Sequence, residues 1–184
     1  MGMYVYKMFQ PGLVCRGYKF KVGLNECEHA TCVKEGFHAA ENPLDCLSYY
    51  PDFDASECWL CYADGDIHED GTDSKISCTK LEILRRLEKH EFVCEAVTYM
   101  LEHPKRKLSE CIKRDEASTD CNGIAIVIGK YPRATAKVNG GVIALIQTNA
   151  DDTPERILMI YGEQVVKGRT YQLKEREAHD EDRI

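Results

Sequence analysis

Residues 123 to 148, GIAIVIGKYPRATAKVNGGVIALIQT, constrain the fold of this chain more than any other stretch. They form a series of short β-prone runs, each broken by Gly or Pro, and RILMIYGEQVVKGRTYQL further on continues the same texture. Gly and Pro end or bend strands and do not belong in helix interiors, so this half of the chain must be assembled from short strands. Upstream the texture is mixed. EKHEFVCEAVTYMLEHP has helical spacing, with Phe92, Val93, Ala96, Val97, Met100 and Leu101 on one face and Pro104 as its stop.

The rest of the front half reads as strands, turns and one short helix. Residues 2 to 9 are aromatic-rich and β-prone, Pro11-Gly12 is a turn, and LVCRGYKFKVG alternates up to Gly23. LNECEHATCVKEG reads as a loop. Asn42-Pro43 reads as a helix start, with Asn42 as N-cap and Pro43 where its missing N–H costs nothing; Pro51 would end that helix after Tyr50. SECWLCYADGDI is β-prone, DGDIHEDGTDSK reads as an acidic loop, and ISCTKLEILRRL as a strand. The expectation is therefore an α+β fold: a mixed front half with short helices and one longer amphipathic helix, then a β-rich, Gly-containing C-terminal half. It divides as an α+β domain over 1–121 with a candidate zinc site, a β-rich segment over 122–173 packed on it, and a charged tail over 174–184.

With 43% hydrophobic and 30% charged residues, the 184-residue chain has the composition of a globular protein. No apolar run is long enough to cross a bilayer, and MGMYVYKMFQPG lacks a basic start followed by an apolar block, so a cytoplasmic protein is expected. Thiols stay reduced there, and ten cysteines then read as metal ligands, reactive groups or small buried residues rather than disulfides. Net charge is −7, with 31 acidic against 24 basic residues. That disfavours direct nucleic-acid binding and favours basic partners, such as the nucleic-acid groove of another protein.

Cys58-Trp-Leu-Cys61 is a CxxC, but on a strand its two thiols point to opposite faces, so both read as buried apolar residues. A better metal candidate lies earlier. Cys15, Cys27, His29, Cys32, His38 and Cys46 fall within 32 positions, largely in loops and element ends, and thiolate plus imidazole is the donor set zinc prefers. Cys15, Cys32, His38 and Cys46 make a plausible tetrahedron for a structural zinc, with Cys27 and His29 in reserve. The competing reading has His38 bonded to the turn and the thiols packed in the core. Asp64, Asp66, Glu69, Asp70 and Asp73 crowd the acidic stretch without the glycine and closing glutamate of a calcium loop. Eight acidic residues and no Lys or Arg lie between 52 and 73, a concentrated negative face suited to a basic protein partner.

Cys15-Arg16-Gly17 followed by Gly36-Phe37-His38-Ala39 is faintly similar to the mono-ADP-ribosyltransferases, which would assign Arg16 and His38 to an active site. His38-Ala39-Ala40 stands where that family carries serines, and a later glutamate motif is missing. CRGYKFKVG, GFHAAENPLDCLSYY, DSKISCT and GIAIVIGKYPRATAKVNGGVIAL together resemble the blocks of a domain found in phage and mobile-element proteins, from about Tyr4 to Leu173. Ala39 and Ala40 stand where that family often has a Cys. The resemblance implies no enzymatic activity, and small acidic proteins of this kind are similar to type II-A anti-CRISPR proteins. The expected function is stoichiometric inhibition of an RNA-guided CRISPR nuclease, with no catalytic residues and with Asp64, Asp66, Glu69, Asp70 and Asp73 as the docking face. The alternatives are an ADP-ribosyltransferase-like enzyme and a structural assembly protein.

Overall fold

The computed structural model describes residues 2–30, 35–69, 71 and 73–173. The chain divides into two compact units, Met1–Ser109 and Glu110–Ile184. Strands take 50% of the described residues and helices 14%, so the fold is mostly β and the α+β expectation is corrected. The error has two sources. The stretch expected as an acidic loop is largely strand, and the expected short helix at Asn42 is a 3-10 turn over Pro43–Ser48. The charged tail over 174–184 lies outside the described residues.

The first unit contains β1 (Met3–Phe9), β2 (Val14–Cys15), β3 (Tyr18–Lys19), β4 (Gly23–Glu26), β5 (Phe37–Ala40), β6 (Glu57–Glu69), β7 (Lys75–Arg86) and α1 (Lys89–Glu102). β1 pairs with β5 and β6, and β7 pairs with β5 and β6, all antiparallel. The four strands therefore close into a small barrel, with β4 continuing the pairing along β7. Closure removes the exposed edges that an open sheet would leave. The register of β6 on β7 shifts between Asp64 and Ile67. Gly65 takes φ 76° at that shift, and the Asp66 N–H is given to Thr79 Oγ1 at 2.9 Å. A Cβ on Gly65 would run into that same hydroxyl, so the bulge needs glycine on both counts.

Alternation along the strands sorts side chains between two apolar layers. Val5, Phe9, Cys61, Ile76, Leu81 and Ile83 belong to the barrel core. Tyr6, Met8 and Cys58 alternate with the inward residues and are also buried. The 3-10 turn and α1 meet that second layer: Cys46 Sγ lies 3.4 Å from the Tyr6 carbonyl oxygen, and Tyr6 Oη donates to Glu95 at 2.8 Å. The Phe53 and Phe92 rings meet at 5.1 Å. Helix α1 begins with a capping box in which Glu91 accepts the Glu88 N–H at 2.8 Å. It buries Phe92, Val93, Ala96 and Val97, while Leu101 on the expected apolar face is 40% exposed.

The second unit contains β8 (Ile112–Ser118), β9 (Ile124–Thr135), β10 (Val142–Thr148), β11 (Pro154–Tyr161) and β12 (Thr170–Gln172). β9 runs parallel to both β8 and β10. Parallel neighbours usually need a crossover of about a dozen residues or more. Here short turns suffice because the strands wind round a coil instead of crossing over. β8 breaks register at Asp115, whose φ is 59°, and β9 lies between β8 and β10 over its first part but between β8 and β12 over its last. Successive turns of the coil stack residue on residue, as Ile112 on Ile126 and Ile124 on Val142. Ala125, Val127, Ala134, Ile143 and Leu145 fill the interior. Among the described residues no helix is long and apolar enough to cross a membrane.

Candidate functional site: a cationic, aromatic-walled cavity

Among the described buried polar residues of the first unit, one is charged. Lys7 occupies the inward phase of β1 between Val5 and Phe9, and it is 6% exposed. A buried ammonium is unfavourable unless its hydrogens are satisfied. Lys7 Nζ donates to the His38 carbonyl at 2.6 Å and lies 3.7 Å from Cys15 Sγ. It also stands over the Phe9 and Phe20 rings, at 5.2 and 5.3 Å from their centroids. Among the described residues no carboxylate pairs with it.

Lys7 lines a cavity of about 630 Å3 bounded by β1, β5, the β2–β3 hairpin and the chain that follows the 3-10 turn. Two more cations line it, Arg16 and Lys75. Arg16 and Gly17 are the two turn residues of the hairpin, with φ of 49° and 81°, the left-handed pair that a type I′ turn demands. Tyr18 follows, its ring 4.6 Å from Phe20 and 5.5 Å from Phe37. From the 3-10 turn come Tyr49, whose ring carries Lys75 Nζ at 4.9 Å, and Tyr50, which donates to Cys15 Sγ at 3.2 Å. Burial, followed by that bond to Cys15, raises the Tyr50 phenol well above its ordinary range, so it stays a proton donor. No Asp or Glu is among the described residues lining the cavity, in a chain whose net charge is −7.

Three of the four proposed zinc ligands, Cys15, His38 and Cys46, line this cavity, and Cys32 lies outside the described residues. Among the described residues no three His, Cys, Asp or Glu side chains come close enough to hold a metal. The Cys15 sulfur faces Tyr50 and the Lys7 ammonium instead. Burial pushes the Cys46 thiol up to about 12, which holds it protonated. Of the two spares, His29 is exposed, and the half-buried Cys27 thiol points at the His29 carbonyl oxygen, 3.5 Å away. Cys58 and Cys61 are both buried on β6, and burial raises both thiols.

The acidic residues are placed differently from their expectation. Asp64, Asp66 and Glu69 are exposed on strand β6 rather than on a loop. Asp73 is half-buried and engaged, accepting from Tyr49 Oη at 3.1 Å and from its neighbour Lys75 N–H at 2.8 Å. Asp70 lies outside the described residues. Reading the sequence for nucleophiles and metal ligands passed over Lys7, Tyr18 and Lys75. For Lys7 a signal existed: in MYVYKMF it takes the same phase as Val5 and Phe9, a charge in the inward register.

Fold and cavity together define a small closed β-barrel that keeps a polar, cationic recess against its core. Residues 3–95, half of the chain, match the family described as Domain of unknown function (DUF7666), and the protein belongs to that family. Comparison with curated proteins and with solved structures gives no match.

Proposed function

We propose that the first unit is a binding module for a small anionic molecule held in the Lys7–Arg16–Lys75 cavity. The observation that carries this reading is Lys7. A buried cation without a carboxylate partner among the described residues leaves a positive potential inside a low-dielectric recess, and an anion entering it supplies the missing charge. The reading is binding rather than catalysis. An ADP-ribosyltransferase-like enzyme would use Arg16 and His38, and both are on the cavity, but the carboxylate such an enzyme needs is not among the described lining residues. Calorimetric titration with inorganic pyrophosphate tests the reading. Binding that weakens at least ~10-fold in Arg16→Glu supports it; absence of binding at low ionic strength sinks it.

A second reading is carried by the acidic strand. Asp64, Asp66 and Glu69 present exposed carboxylates along one strand, a surface suited to the basic channel of an RNA-guided nuclease in the cytoplasm. Pull-down with a guide-loaded CRISPR nuclease, at low and moderate salt, separates the two readings. Under this one the variant with Asp64, Asp66 and Glu69 changed to Lys loses capture while Arg16→Glu keeps it. A structural zinc belongs to the same reading, and elemental analysis of protein purified without chelators measures it.

A further inference from the structure

We infer that the molecule bound in the cavity is a free mononucleotide, its phosphate on the cations and its base on the tyrosines. This rests on the anion-binding reading and adds the second half of the ligand. Size comes first: about 630 Å3 is far more than a phosphate fills and falls within the range of cavities that hold cofactor-sized molecules. The walls come next. Tyr18 and Tyr49 both line the cavity and are 48% and 49% exposed, so two half-exposed rings stand beside the cations, Tyr49 with Lys75 Nζ over one face. Neither ring is loose. Tyr18 is held edge-on by Phe20, and Tyr49 is tied through its hydroxyl to Asp73 and Lys75. Fixed, half-exposed aromatic rings are what a planar base stacks on.

The polar groups agree with that division. Arg16 projects from a two-residue turn, where its guanidinium can take two phosphate oxygens at once. Gln10 also lines the cavity, and its side-chain amide carries both a donor and an acceptor for a base edge. A long strand is the less favoured source of the same chemistry. The chain carries −7 overall, and Asp73 sits directly behind Tyr49, so phosphates beyond the first would meet repulsion.

The test compares ligands on the unaltered protein. The four ribonucleoside monophosphates are titrated beside ribose 5-phosphate, which keeps the phosphate and lacks the base, and beside inorganic pyrophosphate. At least one nucleotide should bind about tenfold tighter than ribose 5-phosphate. In Tyr18→Leu and in Tyr49→Leu the nucleotide's affinity should fall to that of ribose 5-phosphate measured on the same variant. Equal binding of nucleotide and ribose 5-phosphate overturns the mononucleotide and leaves the anion site standing. Failure of every ligand, pyrophosphate included, overturns both. A trinucleotide with a 5′ phosphate distinguishes the sources: weaker binding than the monophosphate supports the free nucleotide, and tighter binding overturns it in favour of a strand end.

Discussion

The two units bury their strands by opposite means. The barrel of the first unit has a mixed interior in which Lys7 sits beside aromatic rings and the thiols of Cys61 and Cys78. The coil of the second unit has an interior of Ala, Val, Ile and Leu with Tyr171 at its margin, and its cysteines, Cys111 and Cys121, are exposed. An aliphatic interior is bought by stability alone. A buried charge is unfavourable by comparison and persists where it has something to do. The contrast supports the proposal that recognition belongs to the barrel.

The largest effect should come from the coil. Leu145 is fully buried on β10, so Leu145→Ala should destabilise by about 3 kcal/mol through lost contacts and the cavity left behind. Denaturant unfolding measures it; a loss under ~1 kcal/mol would mean the coil is not the tightly packed unit described. Lys7→Met sharpens the other side of the comparison. Removing a buried charge and keeping its volume should leave stability equal or higher, while pyrophosphate affinity falls at least ~10-fold, roughly 1.4 kcal/mol. A large loss of stability with unchanged affinity would make Lys7 a structural residue and dissolve the contrast.

Smaller still is the cap. Asn42 Oδ1 accepts the Leu44 N–H at 3.1 Å, so Asn42→Ala should cost about 1 kcal/mol with ligand binding intact. The smallest effect at neutral pH is the titration of the buried thiols. Burial raises Cys46 and Cys78 to about 12 from an ordinary value near 9. A raised pKa in the folded state means the stability is fully present below pH 9 and is lost as pH climbs towards 12. The melting temperature of the barrel should fall across that window. A Cys46→Ala, Cys78→Ala variant should show a shallower decline, and an identical decline would assign the effect to other groups.

Much of the strand pattern was legible. MYVYKMF, the helix beginning after Glu88 and the Gly-broken runs after residue 122 all signal locally, through period or turn chemistry, whereas the turn at Arg16-Gly17 was hidden inside a run that reads as one alternating strand. The fold class was not, because β6 continues through DGDIHE, where charges on an exposed strand mimic a loop. Its pairing with β7 fixes those residues as strand, and that partner is distant information no local window contains. Barrel closure is equally invisible in a window, since it depends on β6 and β5 each meeting both β1 and β7. The candidate site was half legible. Cys15, His38 and Cys46 do share one cavity, yet the group that organises it is a lysine, a residue type that searches for ligands and nucleophiles ignore.

Barrel closure also sets an order of events during synthesis. All pairings of the ring lie between Met3 and Arg86, so the barrel can shut while β8 to β12 are still being translated. The coil must wait, because β9 is completed on one side only when β12 arrives at Thr170. Cys61 and Cys78, in the barrel core, can thereby be covered before the second unit exists. Conditions that slow ring closure should then surface as oxidised nascent chains rather than as a weaker finished protein.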